Sequence, residues 1–290
     1  MKCDWVGAGS APDPSPGNGA APQDDEGTDM AAPALIMLAR GSADPTVAEV
    51  AHHLRYGLQT IRPEVEISAA FLDICSPTPE QVVGHQANRG ATEMVLVPLQ
   101  LSCVVDHDPL VDAAVAELRA AHPRVRFGVA RPLGPEAPLL KPLDERLRLA
   151  LGTAHATELD GLVLSAEGPA DPRGMAMLAR RARQWGAHHK LPCVLAMSDG
   201  SSMNVANAIE SLNDQGRRHV AVGSFYLAAS PTFEAQAHLA LRHGAVAVSA
   251  PIGVDDTVLD LILARYAFAA MDLLDDLEDL GYDDLAEMSI

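Results

Sequence analysis

Aromatic residues make up only 4% of this 290-residue chain, so its core has to be built from Ala, Val and Leu rather than large rings. Cysteine is scarce as well: Cys3, Cys75, Cys103 and Cys193 are scattered, with no Cys-x-x-Cys pair. That pattern excludes a disulfide framework or a cysteine zinc knot and points to free thiols in a reducing compartment. No apolar run approaches the roughly 20 residues of a membrane helix. The N-terminus also lacks the basic-then-apolar plan of a secretory signal, and the chain reads as cytoplasmic. Basic side chains are few, 21 against 39 acidic, for a net charge of −18. Most of the excess sits at the ends: residues 1–30 carry a net −5 and residues 272–290 a net −8. These acidic tails argue against nucleic acid or an anionic membrane as a partner.

What the chain does contain is apolar runs that stop abruptly in polar loops. Leu35-Ile36-Met37-Leu38 runs into Ala39-Arg40-Gly41-Ser42-Ala43-Asp44-Pro45, and a helical segment follows to about Arg62. A continuous apolar run is the mark of a buried parallel strand, and ligands bind outside the carboxyl ends of such strands. Further strands are expected at Val65–Leu72, Met94–Leu101 and Val125–Ala130. Between them lie helices that start at Ser76-Pro77-Thr78-Pro79, after Asp108-Pro109 and after Arg131-Pro132-Leu133-Gly134. Ser, Thr or Asp ahead of Pro is a helix N-terminus signal.

The second half repeats the plan. Ala-x-Gly-x-Ala-Asp-Pro recurs at 166–172, an offset of 127, and Arg131-Pro132-Leu133-Gly134 is matched by Ala250-Pro251-Ile252-Gly253 at an offset of 119. Strands are expected at 161–166, 192–197, 219–227 and 245–249, with helices at 174–187, 201–215 and 256–271. The fold class is therefore α/β: two duplicated domains, each a mainly parallel sheet flanked by helices, with the cleft between the halves. The organisation reads as a disordered acidic extension (1–32), two α/β domains (33–153 and 154–272) and an acidic tail (273–290). Met30 is an alternative start. The tail alternates Leu with acidic residues, as a solubilising segment or a helix that docks a protein partner.

The ordered set of motifs carries a resemblance. A strand into Gly-Ser-x-Asp-Pro, then Ala70-Phe71-Leu72-Asp73 with Ser-Pro-Thr-Pro-Glu, then Val95-x-Val97-Pro98-Leu99-x-Leu101, a His loop, and Ala130-Arg131-Pro132-Leu133-Gly134-Pro135 resembles the sirohydrochlorin chelatase (CbiX/SirB) family of class II chelatases. The resemblance spans about residues 34–270 and is strongest over 35–135. It implies a class II chelatase-like fold and a lyase that inserts Co²⁺ or Fe²⁺ into sirohydrochlorin, in siroheme or cobalamin biosynthesis. The divalent metal (Co²⁺, Fe²⁺ or Ni²⁺) is then a substrate, the anionic tetrapyrrole is the partner, and no organic cofactor is implied. The family's metal site uses two histidines. The first position is Arg40 here, with Glu167 as its repeat counterpart; the second is matched by His107.

Metal insertion needs a loosely held metal, a base for two pyrrole protons, and a grip on the macrocycle's carboxylates. His107 serves as metal ligand and proton acceptor, with Asp106 beside it and Asp73 at the end of the second strand as further ligands; His107 and Asp73 are the candidate catalytic pair. Guanidinium stays protonated, so Arg40 is no ligand. It is placed instead, with the Gly41 and Ser42 N–H groups, as a substrate-carboxylate site. The plain alternatives are that Asp108 and Asp44 only cap helices and that Arg40 pairs with Asp44 or Glu167. Adjacent His52-His53 and His188-His189 point to different helix faces and are read as surface residues. Two further functions stay open: a non-catalytic relative that binds tetrapyrrole or metal as carrier, sensor or partner subunit, and an unrelated enzyme using the Arg40 loop as an anion site.

Overall fold

The apolar run ahead of the first loop is strand β1 (Ala34–Ala39), and all six of its residues are buried. In this computed structural model, which describes residues 32–105, 108–168, 171–198, 200 and 203–287, β1 lies between β2 (Ile67–Phe71) and β3 (Glu93–Pro98), with β4 (Arg126–Val129) outside β3. In the second half β5 (Gly161–Ala166) lies between β6 (Cys193–Met197) and β7 (Val220–Phe225), with β8 (Ala247–Val248) outside β7. Every pairing is parallel. The strand order is thus the same twice over, as the internal repeat requires, and the fold is α/β with two parallel sheets flanked by helices. The extension read as disordered lies, up to Ala31, outside the described residues.

Helices α1 (Pro45–Ile61), α2 (Pro79–Asn88), α3 (Pro109–Ala121) and α4 (Leu140–Thr153) belong to the first half of the sequence. Helices α5 (Pro172–His189), α6 (Val205–Asp214), α7 (Pro231–Arg242) and α8 (Asp256–Glu287) belong to the second. The caps are those the Pro-flanked loops signalled. Asp44 accepts from Thr46 N at 2.9 Å, Asp108 from Leu110 N at 2.9 Å, and Thr78 with Gln81 forms a full capping box. Each such cap is worth about 1 kcal/mol.

Three elements differ from the sequence reading. β3 stops at Pro98, and Leu99, Gln100 and Leu101 leave the sheet to line the cleft. Helix α7 went unread, although Ser230 ahead of Pro231 caps its start; among its residues only Ala240 is buried. α8 does not end near Met271 but continues to Glu287, a helix of 32 residues.

The last helix of each half packs on the other half's sheet: α4 lies against β7 and β8, and α8 lies against β3 and β4. α8 is anchored there by the Tyr266 hydroxyl, which donates to the Pro33 carbonyl at 2.7 Å. Gly57 admits the Leu259 side chain, whose methyl carbon would sit 3.0 Å from an added Cβ. The two halves consequently share one large apolar core, in which Leu35, Met37 and Leu58 join Leu164, Trp185 and Ile262. At roughly 1.5–3 kcal/mol for each fully buried large apolar side chain, this shared core holds the cleft walls in place.

Candidate active site

The loops after β1, β2, β3 and β5 converge on a cavity of about 470 Å³, and Leu227, Ala228 and Ser230 to Thr232 close it from the second half. Arg40 stands in it between two carboxylates. Its Nε donates to Asp73 Oδ2 at 3.0 Å and its Nη1 to Asp108 Oδ2 at 2.8 Å. Desolvation lowers the Arg40 pKa, but hydrogen bonds and attraction from Asp108 and Asp73 outweigh it and the net shift is upward. Arg40 therefore does not pair with Asp44, which is spent on the α1 cap.

The Asp73 carboxylate is fixed from both sides, since its Oδ1 accepts the Gly41 N–H at 2.6 Å. That contact demands glycine: a Cβ on Gly41 would lie 2.0 Å from the Asp73 carbonyl oxygen. Ser42 is buried, its N–H donates to Cys75 Sγ at 3.2 Å, and its Oγ accepts from Asp44 N at 3.0 Å. The two N–H groups placed as a substrate-carboxylate cradle are thus engaged within the chain, where they lock the β1 loop onto the β2 loop. Ile74, next to Asp73, lines the cleft with its side chain exposed and its φ at 59°. A β-branched residue in the left-handed region is a strained feature.

Glu167, the repeat counterpart of Arg40, faces the same cavity from the second half. It keeps accessible surface there, yet the surrounding protein desolvates it and pushes its carboxyl up, against an opposing pull from Arg40. Arg40 thus serves three nearby carboxylates, Asp73, Asp108 and Glu167. An excess of carboxylates over cations favours a further cation or protons, not a free anion.

Asp106 and His107 lie outside the described residues, but both flanks of their loop are anchored. On one side Asp171 Oδ2 accepts the N–H groups of Val104 and Val105, each at 2.8 Å. On the other, Asp108 N donates to Gln100 Oε1 at 3.3 Å. Asp171 also caps α5, accepting from Gly174 N. Gly174 packs so closely that a Cβ there would lie 1.9 Å from the Ser102 carbonyl oxygen. The second half therefore holds the β3 loop of the first. Sequence reading missed this because Asp171 shows only a cap signal, the Asp-Pro that repeats Asp44-Pro45. It missed Asp108 as an Arg40 partner for the same reason.

The sequence also places His85, Cys103, Asp199 and Tyr226 on or next to these strand ends and helices. His85 is exposed on α2. Cys103 is buried, and desolvation pushes its thiol up. Tyr226 is buried behind the strand ends, where its hydroxyl donates to the Ala166 carbonyl at 3.4 Å. Asp199 lies outside the described residues.

Two duplicated parallel sheets with a polar cleft at their carboxyl ends make up a class II chelatase-like fold. Residues 34–150 match the family described as CbiX. Comparison with curated proteins gives no match. Most of the chain shares its fold with solved structures. "SirB from Bacillus subtilis with Fe3+" superposes with a TM-score of 0.66 at 18% identity, over 82% of this chain and 96% of that one. SirB from Bacillus subtilis subspecies spizizenii in complex with cobalt gives 0.66 at 16%, over 83% and 96%. CbiX of denitrifying bacteria, described as the terminal enzyme for siroheme biosynthesis, gives 0.52 at 16%, over 80% and 98%. At these identities the likeness is one of fold. Among the described residues no helix is long and apolar enough to cross a membrane.

Proposed function

We propose that the cleft inserts a divalent metal, Co²⁺ or Fe²⁺, into an anionic tetrapyrrole of the sirohydrochlorin type, in siroheme or cobalamin formation. The observation that carries this reading is Arg40 bridging Asp73 and Asp108. A guanidinium there neutralises a pair of carboxylates at the place a divalent cation would occupy. When the metal arrives it takes Arg40's role between Asp73 and the Asp106-His107-Asp108 loop, with His107 as nitrogen ligand. The guanidinium, already half-exposed, turns to a carboxylate of the macrocycle in a bidentate fork. Gly41 and Ser42 shape the loop that presents it.

Insertion forms four metal–nitrogen bonds and releases two pyrrole protons. Glu167 and His107 are suited to receive them, the first because desolvation favours its protonated form, the second because an imidazole nitrogen released by the metal accepts a proton. The solved structures described with Fe3+ and with cobalt share the fold, which supports a transition metal in the cleft.

The deciding experiment is anaerobic absorbance spectroscopy of sirohydrochlorin with Co²⁺ or Fe²⁺, with the native chain and with His107→Ala. A protein-dependent rate that disappears in His107→Ala supports chelatase activity. A spectral shift on binding without a rate above background makes the chain a tetrapyrrole-binding relative. That second reading gains support if Arg40→His turns over where the native chain does not.

A further inference from the structure

A second set of metal-ligating groups lies away from the cleft, where α4 meets the end of α5. Asp144 of α4 and His188 and His189 of α5 each offer one ligand atom, and these atoms all lie within 4.8 Å of one another. Sequence reading held that the two adjacent histidines face different sides of their helix. The structure corrects this: the rings stand 5.0 Å apart, edge to face, and both approach Asp144. They meet it at the end of α5, where Lys190 caps the helix in the left-handed conformation at φ 57°.

We infer that Asp144, His188 and His189 form a binding site for a divalent first-row transition-metal ion, Co²⁺, Ni²⁺ or Zn²⁺, at the seam between the two halves. Two imidazoles and one carboxylate are a donor set these ions accept, with remaining positions open to water. Three features favour a cation here. Asp144 is buried, and its Oδ1 is already 2.6 Å from His189 Nε2, so a metal would replace a shared proton. Arg148 pairs with the other oxygen, Oδ2, and Trp185 Nε1 donates to Oδ1 at 3.4 Å, which orients the carboxylate as outer partners do in metal sites. The histidines occupy the last turn of an 18-residue helix, whose carbonyl end carries partial negative charge. Donor atoms bound to one ion at about 2 Å lie about 3–3.5 Å apart, and the exposed His188 ring closes the remaining gap by turning.

This site is separate from the cleft. α5 starts at Pro172, capped by Asp171 beside the cleft loop, and its histidines lie roughly 25 Å farther along the helix at 1.5 Å per residue. Metal bound there ties α4 to α5 and so links the halves, and it loads a chain whose cleft handles the same class of ion. The inference does not depend on that cleft reaction.

The test is a Co²⁺ titration of the full chain, followed by calorimetry and by visible d–d absorption, in three proteins that share an Asp73→Asn, His107→Ala cleft. One has no further change, one adds His188→Ala, and one adds His189→Gln, which keeps a partner for Asp144. His188 is exposed, so its removal leaves the fold intact, as circular dichroism will verify. The site predicts imidazole-ligated cobalt bands in the first protein and affinity lower by at least about tenfold in the other two. Cobalt bands and affinity that are unchanged in His188→Ala, or no binding in the first protein, would overturn it.

Discussion

Arg146 of α4 and Arg265 of α8 stand 119 positions apart in the sequence and make the same contact on opposite halves. Arg146 donates to the Ile252 carbonyl from Nε and Nη2, both at 3.3 Å, and Arg265 donates to the Leu133 carbonyl at 2.9 Å. Ile252 and Leu133 are themselves separated by 119. Each exchanged helix is thus clamped to the Pro-x-Gly loop of the half it crosses into.

This pair should not be equal in energy. Arg265 also donates to Pro132 at 3.0 Å and pairs with Glu136 at 2.7 Å, whereas the Arg146 bonds are long. Hydrogen bonds that involve a charged group contribute about 1.5–3 kcal/mol. Arg265→Met should lower unfolding stability in urea by about that amount, and Arg146→Met by clearly less. Equal losses would show that the contacts are incidental to the clamp.

Gly41→Ala should be among the costliest single-methyl additions in the chain. Its Cβ would meet backbone, the Asp73 carbonyl oxygen at 2.0 Å, so no side-chain rotation relieves the clash. Overpacking of this kind costs about 1–3 kcal/mol, and the displaced Asp73 loop should depress metal insertion beyond the loss of stability. Urea titration and the anaerobic insertion assay, run on the same preparation, separate the two effects.

Asp171→Ala removes the acceptor that holds Val104 N and Val105 N and uncaps α5. Leaving these donors without their acceptor should cost about 2–4 kcal/mol in total. Because the same contact anchors the loop that carries His107, Co²⁺ affinity in the cleft should fall with it. Asp171→Asn, which keeps one acceptor oxygen, should recover part of both. A variant as stable as the native chain would show that the loop is held by other means.

Glu167 gives a pH dependence of defined sign. Its folded-state pKa is raised by desolvation, so the folded chain binds this proton more tightly than the unfolded chain. Its contribution is fully present below the ordinary glutamate range and is lost as pH rises through the raised value. Glu167→Gln should therefore match the native chain in acid and be more stable than it above that window. Paired urea titrations from pH 4 upward measure this, and identical pH profiles would contradict the desolvated placement.

Most of the architecture could be read from the chain alone because its causes are local. Unbroken apolar runs require buried parallel strands, Asp-Pro and Thr-Pro require helix starts, and a motif repeated at an offset of 127 requires two similar halves. The resemblance of residues 35–135 to a chelatase family rested on the same kind of local order. What only the tertiary structure decided depends on groups distant in sequence meeting in space. Arg40 found Asp73 and Asp108 instead of Asp44, because the carboxyl ends of β1, β2 and β3 come together while Asp44 is drawn into the α1 cap. Asp171, locally a helix cap, reached the β3 loop of the other half. α4 and α8 each pack on the other half's sheet, which joins the two halves in one apolar core that no local run of sequence specifies. His188 and His189 converged on Asp144 because a buried carboxylate on α4 stands where α5 ends, a relation between two helices that no spacing along one helix contains.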